Sequence, residues 1–274
     1  MSMNLRESCL PAGWYPRNPG EISRFLAEWD AANGAARAAI APHAGWYYSG
    51  KIAAQAVSSL DRKIDTLVVI GGHLPAGYPA LFAMEDAVST PLGAMPLNAA
   101  LRAVLYKELG GKEDRFPDNT VEVLLPMARF FFSDASLLWL RLPAELSSFD
   151  AGKAIATAGK AAGTIAVLAS TDLTHYGPNY HFTPHGIGPE ALRWMREVND
   201  RQFIDAVESG DPAAVLERTE TDSSSCSAGA VLGAMGFAAA QNLGPARLLQ
   251  YGTSAGEGEE IPDSFVGYAA IVSE

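Results

Sequence analysis

The chain has 274 residues, 48% hydrophobic and 9% aromatic, with a formal net charge of -11. This supplies a large buried core and excludes disordered and fibrous classes. No Lys/Arg cluster tracks a phosphate backbone and an anionic surface repels acidic lipid heads, so neither nucleic acid nor membrane is expected as a partner.

In chain order, Ile22, Phe25, Leu26 and Trp29 recur at helical spacing and predict a helix over Glu21 to Asn33. A small-residue strand, Ala35 to Ala41, leads to His43, and a helix over Gly50 to Leu60 is followed by the β-branched strand Thr66 to Ile70, which leads to His73. Pro79 to Ala83 and Thr90 to Pro96 read as short extended pieces forming a flanking hairpin. Helices are expected at Ala99 to Leu109 and Val121 to Phe132, then a strand at Ser136 to Leu142 and an Ala-rich helix at Asp150 to Ala162. A third buried strand, Thr164 to Ala169, delivers Asp172 and His175. Helices follow at Glu190 to Ser209, at Pro212 to Arg218 behind an Asp211 N-cap, and at Ser227 to Gln241, and strands Ala246 to Tyr251 and Phe265 to Val272 close the chain. Alternating strands and helices predict an α/β fold, a three-layer α/β/α sandwich around a largely parallel or mixed sheet, as a single domain over 1–274.

In such sheets ligands bind beyond the carboxyl ends of the strands. His43 and His73 are therefore candidate metal ligands, two neutral imidazoles suited to iron, copper or zinc that need a third donor. Cys226 follows three serines at the mouth of a helix, where backbone N–H groups favour thiolate, and the sequence leaves ligand and nucleophile both open for it. Asp172 and His175 are spaced so that the carboxylate can tune the imidazole as an acid–base group. Gly71 and Gly72 are read as permitting the turn that exposes His73. Trp14, Tyr47, Tyr48 and Tyr176 are candidate pocket walls, and His181 and His185 are given a minor role in a surface loop. No GxGxxG, P-loop or GxSxG element is present. Charges in Met1 to Glu7 stand where a signal peptide needs apolar residues, and no apolar run reaches spanning length, so a soluble cytoplasmic protein is expected, with Cys9 and Cys226 unbridged.

Several motifs together resemble the Memo (mediator of cell motility) family, whose prokaryotic members are the AmmeMemoRadiSam system protein B. They are Ala12-Gly13-Trp14-Tyr15-Pro16, Pro42-His43-Ala44-Gly45 through Gly50, Thr90-Pro91-Leu92-Gly93, Ser170-Thr171-Asp172 through Gly177, Cys226, and Tyr251-Gly252-Thr253-Ser254 with Val266-Gly267-Tyr268. That family is similar in fold to class III extradiol ring-cleaving dioxygenases, which hold non-haem iron with two histidines and a carboxylate. The resemblance implies His43, His73 and Cys226 as ligands of a divalent metal, iron first with copper or zinc as alternatives, and His175 beside Asp172 as the catalytic acid–base pair. It implies a metal-binding oxidoreductase on a phenolic or other small molecule; the alternatives are a non-catalytic metal- or peptide-binding module and a metal-dependent hydrolase. Two departures stand out: Cys226 replaces the dioxygenase carboxylate, and Asn119 stands where the family usually has histidine.

Overall fold

The computed structural model describes residues 3–30, 34–256 and 260–274. Four parallel strands form the middle of a nine-stranded mixed sheet, in the spatial order Ala38–Ala41, Ile165–Ser170, Thr66–Leu74 and Ser136–Pro143. Phe265–Ser273 pairs antiparallel with Ala38–Ala41, carrying Arg247–Thr253 along its length and the short His175–Tyr176 strand at its start. Leu81–Phe82 and Lys112–Glu113 extend the opposite side.

The period of two along the strands explains the layers. Leu67 and Val69 join Ala39, Leu168 and Trp139 in one core with the helices Pro19–Trp29, Trp46–Ser58 and Leu125–Phe131, while Val68 and Ile70 join Ile40, Val167 and Leu140 in the other with Ser147–Gly159 and Ala228–Gln241. Both faces are covered, which is why the parallel strands read as unbroken apolar runs. The expected three-layer sandwich is therefore the observed fold.

The elements differ locally from expectation. Asp211 caps its helix as expected, accepting from the amides of Ala213 and Ala214 at 2.9 and 3.2 Å, but that helix runs on to Asp222. The helix expected over Val121 to Phe132 is two, Asn119–Glu122 and Leu125–Phe131, because Pro126 has no N–H for a continuous ladder and its ring crowds the preceding turn. Glu190 to Ser209 contains a π-helical turn, Met195–Asn199. The two extended pieces do not form a hairpin together: Leu81–Phe82 joins the main sheet, whereas Met95–Pro96 pairs with Ala87–Val88 in a separate three-stranded sheet with Leu5–Arg6. The last positions of the first expected helix, 31–33, lie outside the described residues.

Candidate metal centre

Register alone brings the site together. Ile40 is level with Ala169, and Ala169 with Ile70. Three residues further along each chain stand His43, Asp172 and His73, so these side chains reach the carboxyl edge of the sheet in one row. Gly71 and Gly72 do not turn the chain, contrary to expectation; they remain in the strand and make room. A Cβ at Gly71 would stand 2.2 Å from Thr120 Oγ1, and one at Gly72 would stand 2.3 Å from Ser227 Cβ. The bend falls on His73 itself, which adopts a left-handed backbone with φ 57°.

Cys226 enters from the other side, one residue before the Ser227 N-cap of the Ala228–Gln241 helix. Its amide donates to the carbonyl of Asp172 at 3.3 Å, which fixes the thiol beside the row of strand ends. Cys226 Sγ lies 3.2 Å from His43 Nε2, and the His43 and His73 rings meet edge to face with centroids 4.9 Å apart. Donor atoms of His43, His73 and Cys226 all fall within 4.8 Å of one another. Donors around one tetrahedral ion at about 2.0–2.3 Å stand roughly 3.4–3.8 Å apart, so small side-chain movements suffice to close this triangle on a metal. Both cysteines are free thiols.

The imidazoles are oriented from behind. His43 Nδ1 lies 2.9 Å from Ser170 Oγ, so a proton on Nδ1 leaves the Nε2 lone pair facing the sulfur. His73 Nδ1 lies 3.2 Å from Asp118 Oδ2, which Arg141 also pairs at 3.1 Å. A carboxylate only accepts, so His73 Nδ1 donates to Asp118, which leaves Nε2, on the side of the Cys226 sulfur, as the atom that would bind a metal after giving up its proton. Burial opposes charge on His73, yet its bond to Asp118 and the nearby sulfur prevail and raise its pKa to about 9. For Asp118 burial is likewise outweighed, by His73 and Arg141, and its carboxyl is held at about 2. Once metal binding displaces their protons, two imidazoles and a thiolate suit a borderline divalent ion, and His43 and His73 both open onto a cleft of about 670 Å³ that leaves space for a further ligand.

His175 also lines this cleft, from the short His175–Tyr176 strand rather than from a loop or helix turn. Burial pushes its pKa down, partly offset by the charge of Asp172. The Asp172 carboxylate accepts from the amides of His43 and Ala44 at 2.7 and 3.3 Å, while His175 Nδ1 pairs with the carbonyl of Leu173 at 3.2 Å. Asp172 thus reaches His175 through its field and the His43 segment by contact. Trp14 and Tyr48 line the cleft, Tyr47 lines a neighbouring groove, and Tyr176 is wholly buried. His185 packs on Trp194 with centroids 4.2 Å apart.

Sequence reasoning missed Asp118, Ser170 and Glu122. Ser170 was available as the hydroxyl at the end of a strand; Asp118 and Glu122 flank Asn119 in a polar stretch with no ligand spacing. Glu122 accepts from Ser8 Oγ, the amides of Cys9 and Leu10, and the Tyr15 hydroxyl at 2.7–3.0 Å, pinning the segment whose Trp14 forms one wall of the cleft. Asn119 also lines the cleft and donates to the carbonyl of His43 at 3.2 Å.

Fold and site together define an α/β protein with a two-His, one-Cys cluster in metal-binding range at the carboxyl edge of its parallel strands. The model of the Memo-like protein family matches residues 6–272, and the chain belongs to that family. A MEMO1 family protein of Pyrobaculum arsenaticum is 30% identical over 244 residues, covering 85% of this chain and 82% of that one. Another, of Methanothermobacter thermautotrophicus, is 29% identical over 295 residues, covering 97% and 99%. Among solved structures, an uncharacterised protein of Escherichia coli K12 superposes with a TM-score of 0.53 at 15% identity, over 86% of this chain and 99% of that one, a likeness of fold. Among the described residues no helix is long and apolar enough to cross a membrane.

Proposed function

We propose that this chain is a metal-dependent oxidoreductase of the extradiol dioxygenase type, acting on a phenolic small molecule. The observation that carries the reading is the convergence of His43, His73 and Cys226 donor atoms within 4.8 Å, on a cleft that also contains His175. In this reading the three side chains hold one divalent ion, iron first, with copper or zinc favoured more by a thiolate than by a carboxylate. Such an ion, held by these three side chains, would supply Lewis acidity and redox reactivity toward dioxygen. His175, its pKa lowered by burial, is a neutral imidazole at pH 7 and accepts the phenol proton at its ring nitrogen. Asp172 then stabilises the imidazolium through its field and keeps the His43 loop in place. Trp14 and Tyr48 give an aromatic ligand its walls.

Elemental analysis of purified wild type and Cys226→Ala, combined with oxygen uptake on a catechol panel, tests this. Near one ion per wild-type chain, at least a tenfold loss of affinity in the variant, and uptake with a catechol are expected. Equally negligible metal in both proteins overturns the site, and bound metal without oxygen uptake leaves a binding module.

A further inference from the structure

Resting on the reading of the cleft as a phenol site, its lining defines the charge of the ligand. Among the described residues that line it there is no lysine or arginine, and its carboxylate is Asp172. The guanidiniums nearby are committed elsewhere. Arg141 is buried and paired with Asp114 and Asp118 at 3.3 and 3.1 Å. Arg17 gives its donors to Ser8, Tyr15 and the Leu10 carbonyl, and faces the adjoining groove.

The charges around the candidate centre beside the cleft would also balance with an ion bound. The two positive charges of a divalent ion are matched by the Cys226 thiolate and the Asp172 carboxylate, and the chain as a whole carries -11. A ligand bearing its own carboxylate, phosphate or sulfate would lose its hydration here without gaining a cation in return. A neutral ring meets partners instead. Tyr48 and Tyr180, 57% and 42% exposed, present uncovered aromatic surface to the cleft, and Asn119 and Ser264 offer uncharged hydrogen-bonding groups.

We infer that the cleft selects a neutral phenol or catechol and rejects ring compounds that carry a separate anionic group. The test is calorimetric titration, under nitrogen, of the Fe(II)-loaded chain with catechol, 4-methylcatechol, 3,4-dihydroxybenzoate and 2,3-dihydroxybenzoate. Catechol and 4-methylcatechol are expected to bind at least tenfold more tightly than either benzoate. Asn179→Lys, which adds a cation at the exposed rim, is expected to recover at least tenfold in benzoate binding with little change for catechol. Benzoates binding as tightly as catechol, or no gain in Asn179→Lys, overturn the charge selection and leave the phenol site standing. A loaded protein that binds none of the four overturns the phenol site, and this inference with it.

Discussion

Asp118 and Ser170 stand behind the two imidazoles of the candidate centre, and they are unequal. Ser170 offers His43 a neutral hydroxyl, whereas Asp118 offers His73 a carboxylate already paired with Arg141. Removing a carboxylate behind a histidine ligand typically lowers metal affinity about 10–100-fold. Asp118→Ala is therefore expected to lose metal to a competing chelator at least tenfold more readily than wild type, with an unchanged circular dichroism spectrum; equal retention would show that His73 needs no such support. The histidines and the cysteine were legible because each is a ligand type placed after an apolar run or before an apolar helix. Asp118 was not, because it is 45 positions from His73 and meets it only when the Asn119–Glu122 helix settles over the side-chain-free Gly71.

At the scale of elements, the small-residue helix Ala228–Gln241 owes its composition to a neighbour. Gly236 faces the backbone of Phe149 so closely that a Cβ would stand 1.8 Å from its carbonyl oxygen, and a Cβ on Gly152 would stand 2.0 Å from the carbonyl oxygen of Gly233. Helix propensity alone favours Gly→Ala by about 1 kcal/mol, but forcing two backbones apart in a packed core costs about 1–3 kcal/mol. Gly236→Ala should thus be destabilised despite its better propensity, seen as a lower urea midpoint at unchanged slope; a raised midpoint would mean the helices separate freely. The run of alanines and glycines identified the helix, but not what it packs against. The break before Pro126 and the π turn at Met195–Asn199 were hidden for a related reason, since side-chain periodicity continues across both.

At the scale of the whole molecule, the order of strands could not be read from the chain. Ile165–Ser170 inserts between Ala38–Ala41 and Thr66–Leu74, although those two are consecutive core strands in sequence, and this insertion places Asp172 between the two histidines. Asp200 ties distant segments in the same way. Fully buried, it accepts from the Thr174 amide and hydroxyl and from the Tyr251 hydroxyl at 2.6 Å, and packs against Gly267. Burial raises its pKa from 3.8 to about 6 despite those donors. The folded state then holds this proton more tightly than the unfolded state does, so its contribution to stability is complete below 3.8 and is lost as the pH rises through about 6. Asp200→Asn cannot ionise. Unfolding of metal-free wild type and Asp200→Asn between pH 4 and 7 should show the variant gaining on wild type as the pH rises; a constant gap would mean that the hydrogen bonds keep the carboxylate ionised throughout.

The left-handed backbone at His73 carries a consequence for how this sequence can change. A side chain there costs about 1–2 kcal/mol that glycine would not incur. Metal-free His73→Gly should accordingly resist unfolding by about 1 kcal/mol more than His73→Ala, since both lose the ring and only one relieves the strain. A laboratory selection that rewarded heat resistance alone would drift toward glycine at this position and arrive at a sturdier, silent protein. Keeping histidine there requires a second pressure, and added imidazole restoring metal retention to His73→Gly would identify that pressure as the ring itself.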